Sequence, residues 1–539
     1  MNVKHLGLLL LAAGALVPAE KPVYPLYSPY FGERHQFTDA DLRTLAANFD
    51  FVYGQALSGD EMALARRTNP KVQFIKYVGA WTVRAAEAER NLRFQILYYP
   101  CATLAQPVSA SATQFRLAKP CAIKASTVAG LYSKSLTEYV TWIRVGDELM
   151  RVEAFDPSTR RVTVERGFDG SKASAHSQGA RVFLPAYGVA PGKPNEWEAK
   201  TSISYHYDPY YKARWEHIWG ILEQFVKDGG DGIWIDILMD RSLRESDIEG
   251  NELRGPRPGR SGTWDFATGD FYERDEFRRR NERGVREIQE RFHRQFGRYP
   301  VIYANNMMAS RFERGQGGHK FYLLSTPEKP RPLEGMCIED FMGGYNAAEW
   351  TLWSRTREVS VPGKACYPCD AGYKNWAENI KLLMRASQAG MPAMPLIINA
   401  GMKTAIFEAI DRARRHEWEL WAYASYLLGV EKKGGVCPTR LGVPMFYREG
   451  GRRFVALDPM YYWPIGEPIE SVRPEDLLRY KIEGTEVFRR RFTGGQVFVN
   501  PTDKPARVDL AAPLRDPHSG ASVRSLTLAP QSAKILLNR

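Results

Sequence analysis

Histidine is scarce in this chain, with nine in 539 residues, and no two stand at metal-ligand spacing. The one Cys366-Tyr-Pro-Cys369 pair has no second half elsewhere, so nothing completes a zinc site. No metal and no cofactor is expected. Cysteine is scarce as well, with six, at 101, 121, 337, 366, 369 and 437. Cys101 and Cys121 can close one loop and Cys366 and Cys369 a tight one; structural or free thiols are the favoured reading. No apolar run beyond residue 17 is long enough to cross a bilayer. The run at the start, Leu6 to Val17, is itself too short for that. It follows Lys4 and His5 and leads to Val17-Pro18-Ala19, the layout of a secretion signal over residues 1–19. No Cys follows it, which disfavours a lipoprotein; an uncleaved membrane anchor is the other reading of the run. The expected product is exported, periplasmic or extracellular, with no stable membrane insertion once the signal is removed. No repeat at solenoid period is present.

What the chain does have is length, aromatic rings and positive charge. A chain of 539 residues exceeds one hydrophobic core and predicts two to four domains. Apolar residues at 44% and charged residues at 25% are ordinary globular values. Aromatics reach 12%, with 13 Trp and 27 Tyr. Such rings stack on sugar faces but also fill cores, and composition does not separate the two. The formal charge is +12, with Arg278-Arg279-Arg280 and Arg489-Arg490-Arg491 among its clusters. A solvated basic surface is the plain reading. Attraction to an acidic polymer or anionic envelope is the sharper one, and nucleic acid is not favoured for an exported protein.

The patterning predicts an α/β architecture: a (β/α)₈ TIM barrel with an inserted all-β module and a C-terminal β-sandwich. Strands are expected over 23–27, 49–54 and 72–78, with helices over 39–48, capped by Thr38, and 60–67 between them. From Cys101 to Leu184 the alternation gives way to short strands, 140–145, 148–155 and 161–166, with Asp156-Pro157-Ser158 as a turn. The strings W-I-R-V-G-D-E-L-M-R-V, V-T-V-E-R-G-F-D-G and A-H-S-Q-G-A resemble a small β module of phage tail and virion proteins. Alternation resumes with helices over 210–227, 275–296, 349–357, 379–389 and 414–428. Strands are expected at 231–236, 301–305, 335–339, 394–399 and 441–447, and a long polar loop at 241–270. Short strands at 486–492, 496–500, 506–510 and 525–537 then suggest a sandwich. The expected division is 1–19 signal, 20–100 and 185–445 barrel, 101–184 insert and 446–539 sandwich.

A parallel barrel carries its active site at the C-terminal ends of its strands. Asp236 closes I-W-I-D, Asn305 and Asn306 close V-I-Y-A-N-N, Glu339 closes G-M-C-I-E, and Asn399 closes L-I-I-N. Tyr53 ends the second strand and Lys76 lies near the end of the third. Asp236 and Glu339 are the carboxylates, at the fourth and sixth strands. Glycoside hydrolysis needs two, one to protonate the leaving oxygen and one to attack or activate water. An acid at a strand end can also merely cap the next helix. Asp231 is read that way, as a turn former, and Asp240 is a weaker rival to Asp236. By period-two alternation Asp340 faces away from Glu339.

D-G-I-W-I-D, Y-A-N-N-M and G-M-C-I-E-D-F together resemble the barrel-type hypothetical glycosyl hydrolases, which look related to the endo-α-1,4-polygalactosaminidases of glycoside hydrolase family 114. F-D-F-V-Y-G-Q, N-P-K-V-Q-F-I-K-Y-V and V-F-R-R-R-F-T-G-G-Q-V-F-V-N-P-T fit the same pattern. The resemblance covers most of 22–100 and 195–539 and skips the insert. It implies a retaining mechanism with Asp236 as nucleophile and Glu339 as general acid/base. It also implies sugar contacts from Asn305 or Asn306 and from Lys76. The implied partner is a polysaccharide or oligosaccharide, with acidic and amino-sugar chains as candidates. Two other readings stay open: a catalytically inactive glycan-binding or adhesion protein, and a metal-dependent deacetylase, which the lack of a His-rich constellation disfavours.

Overall fold

The computed structural model describes residues 21–29, 37–53, 57–78, 82–84, 97–121, 123, 142–185, 187–188, 204–206, 212–235, 260–304, 333–338, 341, 372–397, 412–432, 436–443, 446–449 and 452–538. These fall into two compact units. One comprises Met1–Tyr77, Phe225–Trp234 and Val301–Arg539, the other Val78–Gln224 and Ile235–Pro300. The expected helix over 349–357 lies outside the described residues.

The first unit is built on eight strands: β1 (Leu26–Pro29), β2 (Phe51–Tyr53), β3 (Gln73–Val78), β4 (Gly232–Ile235), β5 (Val301–Ala304), β6 (Gly335–Ile338), β7 (Ala393–Pro395) and β8 (Leu441–Gly442). They form one curled sheet in the order β7-β6-β5-β4-β3-β2-β1-β8. The pairs β8–β1, β1–β2, β2–β3, β5–β6 and β6–β7 are parallel. A parallel bridge between Leu396 and Gly442 links the two ends of that order. The Ile397 N–H donates to the Gly442 carbonyl at 3.0 Å and the Arg440 N–H to the Ala393 carbonyl at 3.0 Å.

Local sequence explains the helices that connect these strands. Helix α1 (Asp39–Asn48) starts at Thr38, whose Oγ1 accepts from the Asp41 N–H while the Asp41 carboxylate accepts from the Thr38 N–H. Helix α2 (Gly59–Thr68) repeats this reciprocal cap with Ser58 and Glu61. Helices α3 (Lys212–Lys227) and α4 (Arg274–Phe296) belong largely to the second unit. Gly284 on α4 lets Trp215 of α3 lie against its backbone, where any Cβ would collide with the indole. Helix α5 (Gly372–Gln388) precedes β7, and helix α6 (Arg412–Gly429) precedes β8. From Glu419 to Val430, α6 and its end are buried at every position, so polar water contact is absent on all sides.

No α-helix follows β8 among the described residues. The chain instead makes a hairpin, β9 (Phe446–Glu449) and β10 (Arg452–Val455), which splits the single strand expected at 441–447. The Val455 N–H donates to Asp41 Oδ1 of α1 at 3.0 Å. Beyond it lie β11 (Phe488–Phe492), β12 (Gly495–Asn500), β13 (Ala506–Arg515), β14 (Ser522–Leu528) and β15 (Ser532–Leu537), in the antiparallel order β11-β12-β15-β13-β14. The strand expected over 525–537 is two strands, broken by a turn at Gln531, whose φ is 44°. Helix α6 packs against β11, β12 and β15. Val497, Val499, Ile535 and Leu537 are fully buried on the helix side. Phe498 and Leu536, on the other side, join Val508, Leu514 and Leu526 in a separate core.

The second unit holds an eight-stranded antiparallel sheet. Its order is Asp270–Glu273, Arg260–Asp265, Tyr98–Thr103, Arg181–Pro185, Trp142–Val145, Glu148–Asp156, Arg161–Glu165 and Gln114–Arg116. Arg260–Asp265 falls in the stretch expected to be loop at 241–270, which Asp270–Glu273 touches only at Asp270; residues 241–259 lie outside the described residues. The two strands pair with each other as a local hairpin, and Arg260–Asp265 also meets the distant Tyr98–Thr103 through Trp264 and Tyr98. Cys101 and Cys121 form a disulfide. Asp156 accepts from the Ser158 and Thr159 hydroxyls, which makes the expected turn.

Candidate functional site

The concave side of the curled sheet is filled by one layer of side chains: Tyr27, Phe51, Ile75, Trp234, Tyr303, Cys337, Met394 and Leu396. β1 to β7 each supply at least one. β8 supplies Gly442, where a Cβ would stand 2.5 Å from Tyr27 Cζ and 2.8 Å from Leu396 Cδ1. Three aromatic rings stack across the strands, Tyr27 on Phe51 at 4.8 Å and Phe51 on Tyr303 at 4.7 Å. Trp234 lies 6.0 Å from Tyr303. Burial pushes the Tyr303 hydroxyl up to about 12, so it is a neutral donor, and it hydrogen-bonds Gln73.

This layer fixes the phase of each strand, because side chains alternate with period two. Ile75 belongs to the layer and Tyr77 packs against it. Lys76 therefore points to the convex side, and its Nζ stands 5.7 Å from the centre of the Phe225 ring. Lys76 is the residue expected to contact sugar; Tyr77 holds the concave position at that strand end. The signal was present in the sequence, since Gln73, Ile75 and Tyr77 share one parity. Tyr53 ends β2 two positions beyond Phe51. Asp236, Asn305, Asn306, Glu339 and Asn399 lie outside the described residues. Strands β4, β5 and β6 are described up to Ile235, Ala304 and Ile338.

At the opposite end of the sheet, charged side chains have structural partners. Asp231 Oδ2 accepts from Arg66 Nη2 at 2.6 Å and from the Phe74 N–H at 2.8 Å. Its own N–H donates to the Phe74 carbonyl. Asp231 thus ties β3 to the start of β4, as a turn-forming reading anticipates. Asp50 pairs with Arg440 at 3.8 Å; burial raises its carboxyl, and Arg440 opposes that.

Two further motifs resolve into structure. In the insert, Glu148 is fully buried and accepts five hydrogen bonds: from Arg166 Nε at 2.7 Å and Nη2 at 2.8 Å, from the Gly167 and Ser174 N–H groups at 3.1 Å each, and from His176 Nε2 at 2.7 Å. The G-D-E, E-R-G and A-H-S strings are the three sides of this one network. Burial raises the Glu148 carboxyl, but those hydrogen bonds outweigh it and hold it below the usual glutamate value. In β11, Arg490 is 0% exposed, unlike the solvated basic run expected there. Its Nη1 donates to the carbonyls of Leu427, Leu428 and Val430, and its Nη2 to Glu431 and to the Glu470 carbonyl. Only Arg489 and Arg491 face water. Among the described residues no three His, Cys, Asp or Glu side chains come together as a metal site, and no helix is long and apolar enough to cross a membrane.

No family model and no curated protein matches this sequence. Several solved structures are similar at low identity. The glycoside hydrolase domain of PelA from Pseudomonas aeruginosa is 14% identical over 80% of this chain and 96% of that one, with a TM-score of 0.31. Eubacterium rectale Amy13B is 9% identical over 96% of both chains, with a TM-score of 0.38. Bacillus licheniformis trehalose-6-phosphate hydrolase is 8% identical over 96% of this chain and 99% of that one, with a TM-score of 0.41. Likeness at this level carries no assignment of activity.

Proposed function

We propose that this chain is an exported glycoside hydrolase acting on a polysaccharide at the C-terminal ends of a closed (β/α)₈ barrel, with Asp236 as nucleophile and Glu339 as general acid/base. The observation that carries the reading is the phase of the interior layer. Trp234 and Cys337 belong to that layer, and two positions further along their strands come Asp236 and Glu339. Period-two alternation, continued by one pair, aims both carboxylates to the concave side and Asp340 away from it. The same rule favours Tyr53 and Asn305 over Asn306 and Asn399 as sugar contacts, since Phe51, Tyr303 and Leu396 are the interior residues. The bridge between Leu396 and Gly442 supports closure of the sheet. The Cys101–Cys121 disulfide supports export to an oxidising compartment.

In the sheet order β5 alone separates β4 from β6. Strands two apart lie about 10 Å from one another at the backbone, and two inward side chains shorten that gap. Retention needs carboxyl groups about 5 to 5.5 Å apart. Glu339 starts protonated, held so by the neighbouring Asp236 charge, and gives its proton to the glycosidic oxygen as Asp236 attacks the anomeric carbon. Glu339 then takes a proton from water, which releases the sugar from Asp236.

Incubation with a panel of neutral, acidic and amino-sugar polysaccharides, read by reducing ends, tests the activity. Asp236→Asn and Glu339→Gln should each cut kcat by about 10⁴-fold with the fold intact by circular dichroism. Full turnover in either variant sinks the residue assignment. Binding without release by the wild type sinks the activity and favours a glycan-binding protein.

A further inference from the structure

A cavity of about 680 Å³ opens between helix α6 and the C-terminal sheet. That is the size of a small-ligand pocket rather than a packing defect. Its apolar wall includes Leu420 of α6 and Ile535 of β15. Its polar wall is built. Asp458 is buried, caps the turn that follows it by accepting from the Met460 N–H at 3.0 Å, and holds His416 Nδ1 at 2.7 Å. The His416 ring lies face to face with His518, centroids 5.1 Å apart and 28° between planes. Trp463 stands at 69° to His416, 6.3 Å away. Asp516 accepts from the His518 N–H at 2.9 Å and pairs with Lys534 Nζ at 3.5 Å. The His518 imidazole is exposed and makes no hydrogen bond among the described residues.

Charge decides what such a wall suits. Each cation already faces its own carboxylate, His416 with Asp458 and Lys534 with Asp516. An anion would meet no uncompensated positive charge, and a metal would find no three-ligand group among the described residues. What remains is aromatic surface beside hydroxyl-reading donors and acceptors. That pairing fits a ring with apolar C–H faces and equatorial hydroxyls. We propose that this cavity is a second saccharide site, taking a neutral hexose unit against Trp463 and the His416–His518 stack, with Asp516, Lys534 and the His518 ring reading its hydroxyls. The lining includes neither Asp236 nor Glu339, and binding needs no turnover there.

Diethyl pyrocarbonate labelling of the full chain reads the site directly, because His518 is exposed. The labelling uses the Glu339→Gln variant, so that any oligosaccharide persists whether or not the wild type hydrolyses it. Carbethoxylation of His518 is followed by mass spectrometry with cellohexaose, maltohexaose or a galacturonic acid hexamer present. One of the two neutral oligomers should slow His518 labelling about tenfold at ten times its Kd, by mass action. Trp463→Leu, which keeps apolar bulk but no aromatic face, should weaken that protection about tenfold in Kd. Lys534→Met, at a less packed position, should weaken it too. Protection by neither neutral oligomer, protection by the galacturonic acid hexamer alone, or equal protection in both variants overturns the proposal.

Discussion

Replacing Arg490 with methionine should destabilise the first unit by about 3–5 kcal/mol, the cost of removing one partner from a buried charged network. The magnitude follows from what the guanidinium satisfies. Leu427, Leu428 and Val430 lie at the end of α6, where the last carbonyls have no partner within the helix. Arg490 Nη1 takes all three at 2.6 to 3.1 Å, while its Nη2 binds Glu431 at 2.7 Å. A hydrogen bond to a charged group contributes roughly 1.5–3 kcal/mol. The sum for this set overshoots the net effect, because methionine packs in the same space and Glu431, 18% exposed, can turn to water. Arg490→Lys should cost less, about 1–3 kcal/mol, since a point ammonium cannot span from the Val430 carbonyl to the Glu470 carbonyl. Arg489→Met and Arg491→Met are the controls. Arg491 is half-exposed in its pair with Glu470, so its loss should cost no more than about 1 kcal/mol. Hydrogen exchange by mass spectrometry on the full chain, read in peptides from α6 and β11, measures the effect. Arg490→Met should speed local exchange by roughly two to four decades. Exchange no faster than in the Arg489 variant would refute the account.

Other changes discriminate equally well. Glu148 has a lowered carboxyl pKa in the folded insert. Its contribution is present above the unfolded pKa and is lost as pH falls through the folded value. Acid titration followed by near-ultraviolet circular dichroism should show the wild-type insert loosening, while Glu148→Gln should be weaker at neutral pH by about 3–5 kcal/mol and should lack that acid step. Lys76→Met should leave KM for any hydrolysed saccharide unchanged, because the side chain faces Phe225. Tyr77→Ala, on the concave side, should raise it, and steady-state kinetics separates the two.

The elements that local chemistry dictates were legible in the residues. Thr38 and Asp41 form a reciprocal cap, and α1 starts where that pair requires. Val72 to Val78 reads as a strand, and β3 occupies nearly all of it. The fourth and sixth strands keep those ranks in the sheet, so the spacing on which the carboxylate pair depends follows from counting. Features that depend on distant partners were not legible. Arg260–Asp265 pairs with Tyr98–Thr103 only because the second unit brings them together. Arg490 hid among arginines, although Phe488, Arg490 and Phe492 share a parity and all three are buried. Lys76 and Tyr77 both lie near the end of β3, and only the phase of the strand tells their sides apart. The pair Glu148 and Arg166 was visible as a motif, but its burial and its closure by His176 needed the third dimension.

The C-terminal sheet packs against helix α6, and this bears on how the protein can be divided. Helix α6 carries Leu420, Trp421, Tyr423, Tyr426 and Leu427, all buried. One side of it packs against α5, and another is covered by β12 and β15. Cutting the chain after β8 would leave that second side bare and strip Arg490 from the carbonyls at the end of α6. The tail is therefore no detachable accessory. A library that swaps C-terminal segments among such chains would lose the fold of the first unit with the graft, and exchange should succeed only where α6 travels with its sheet.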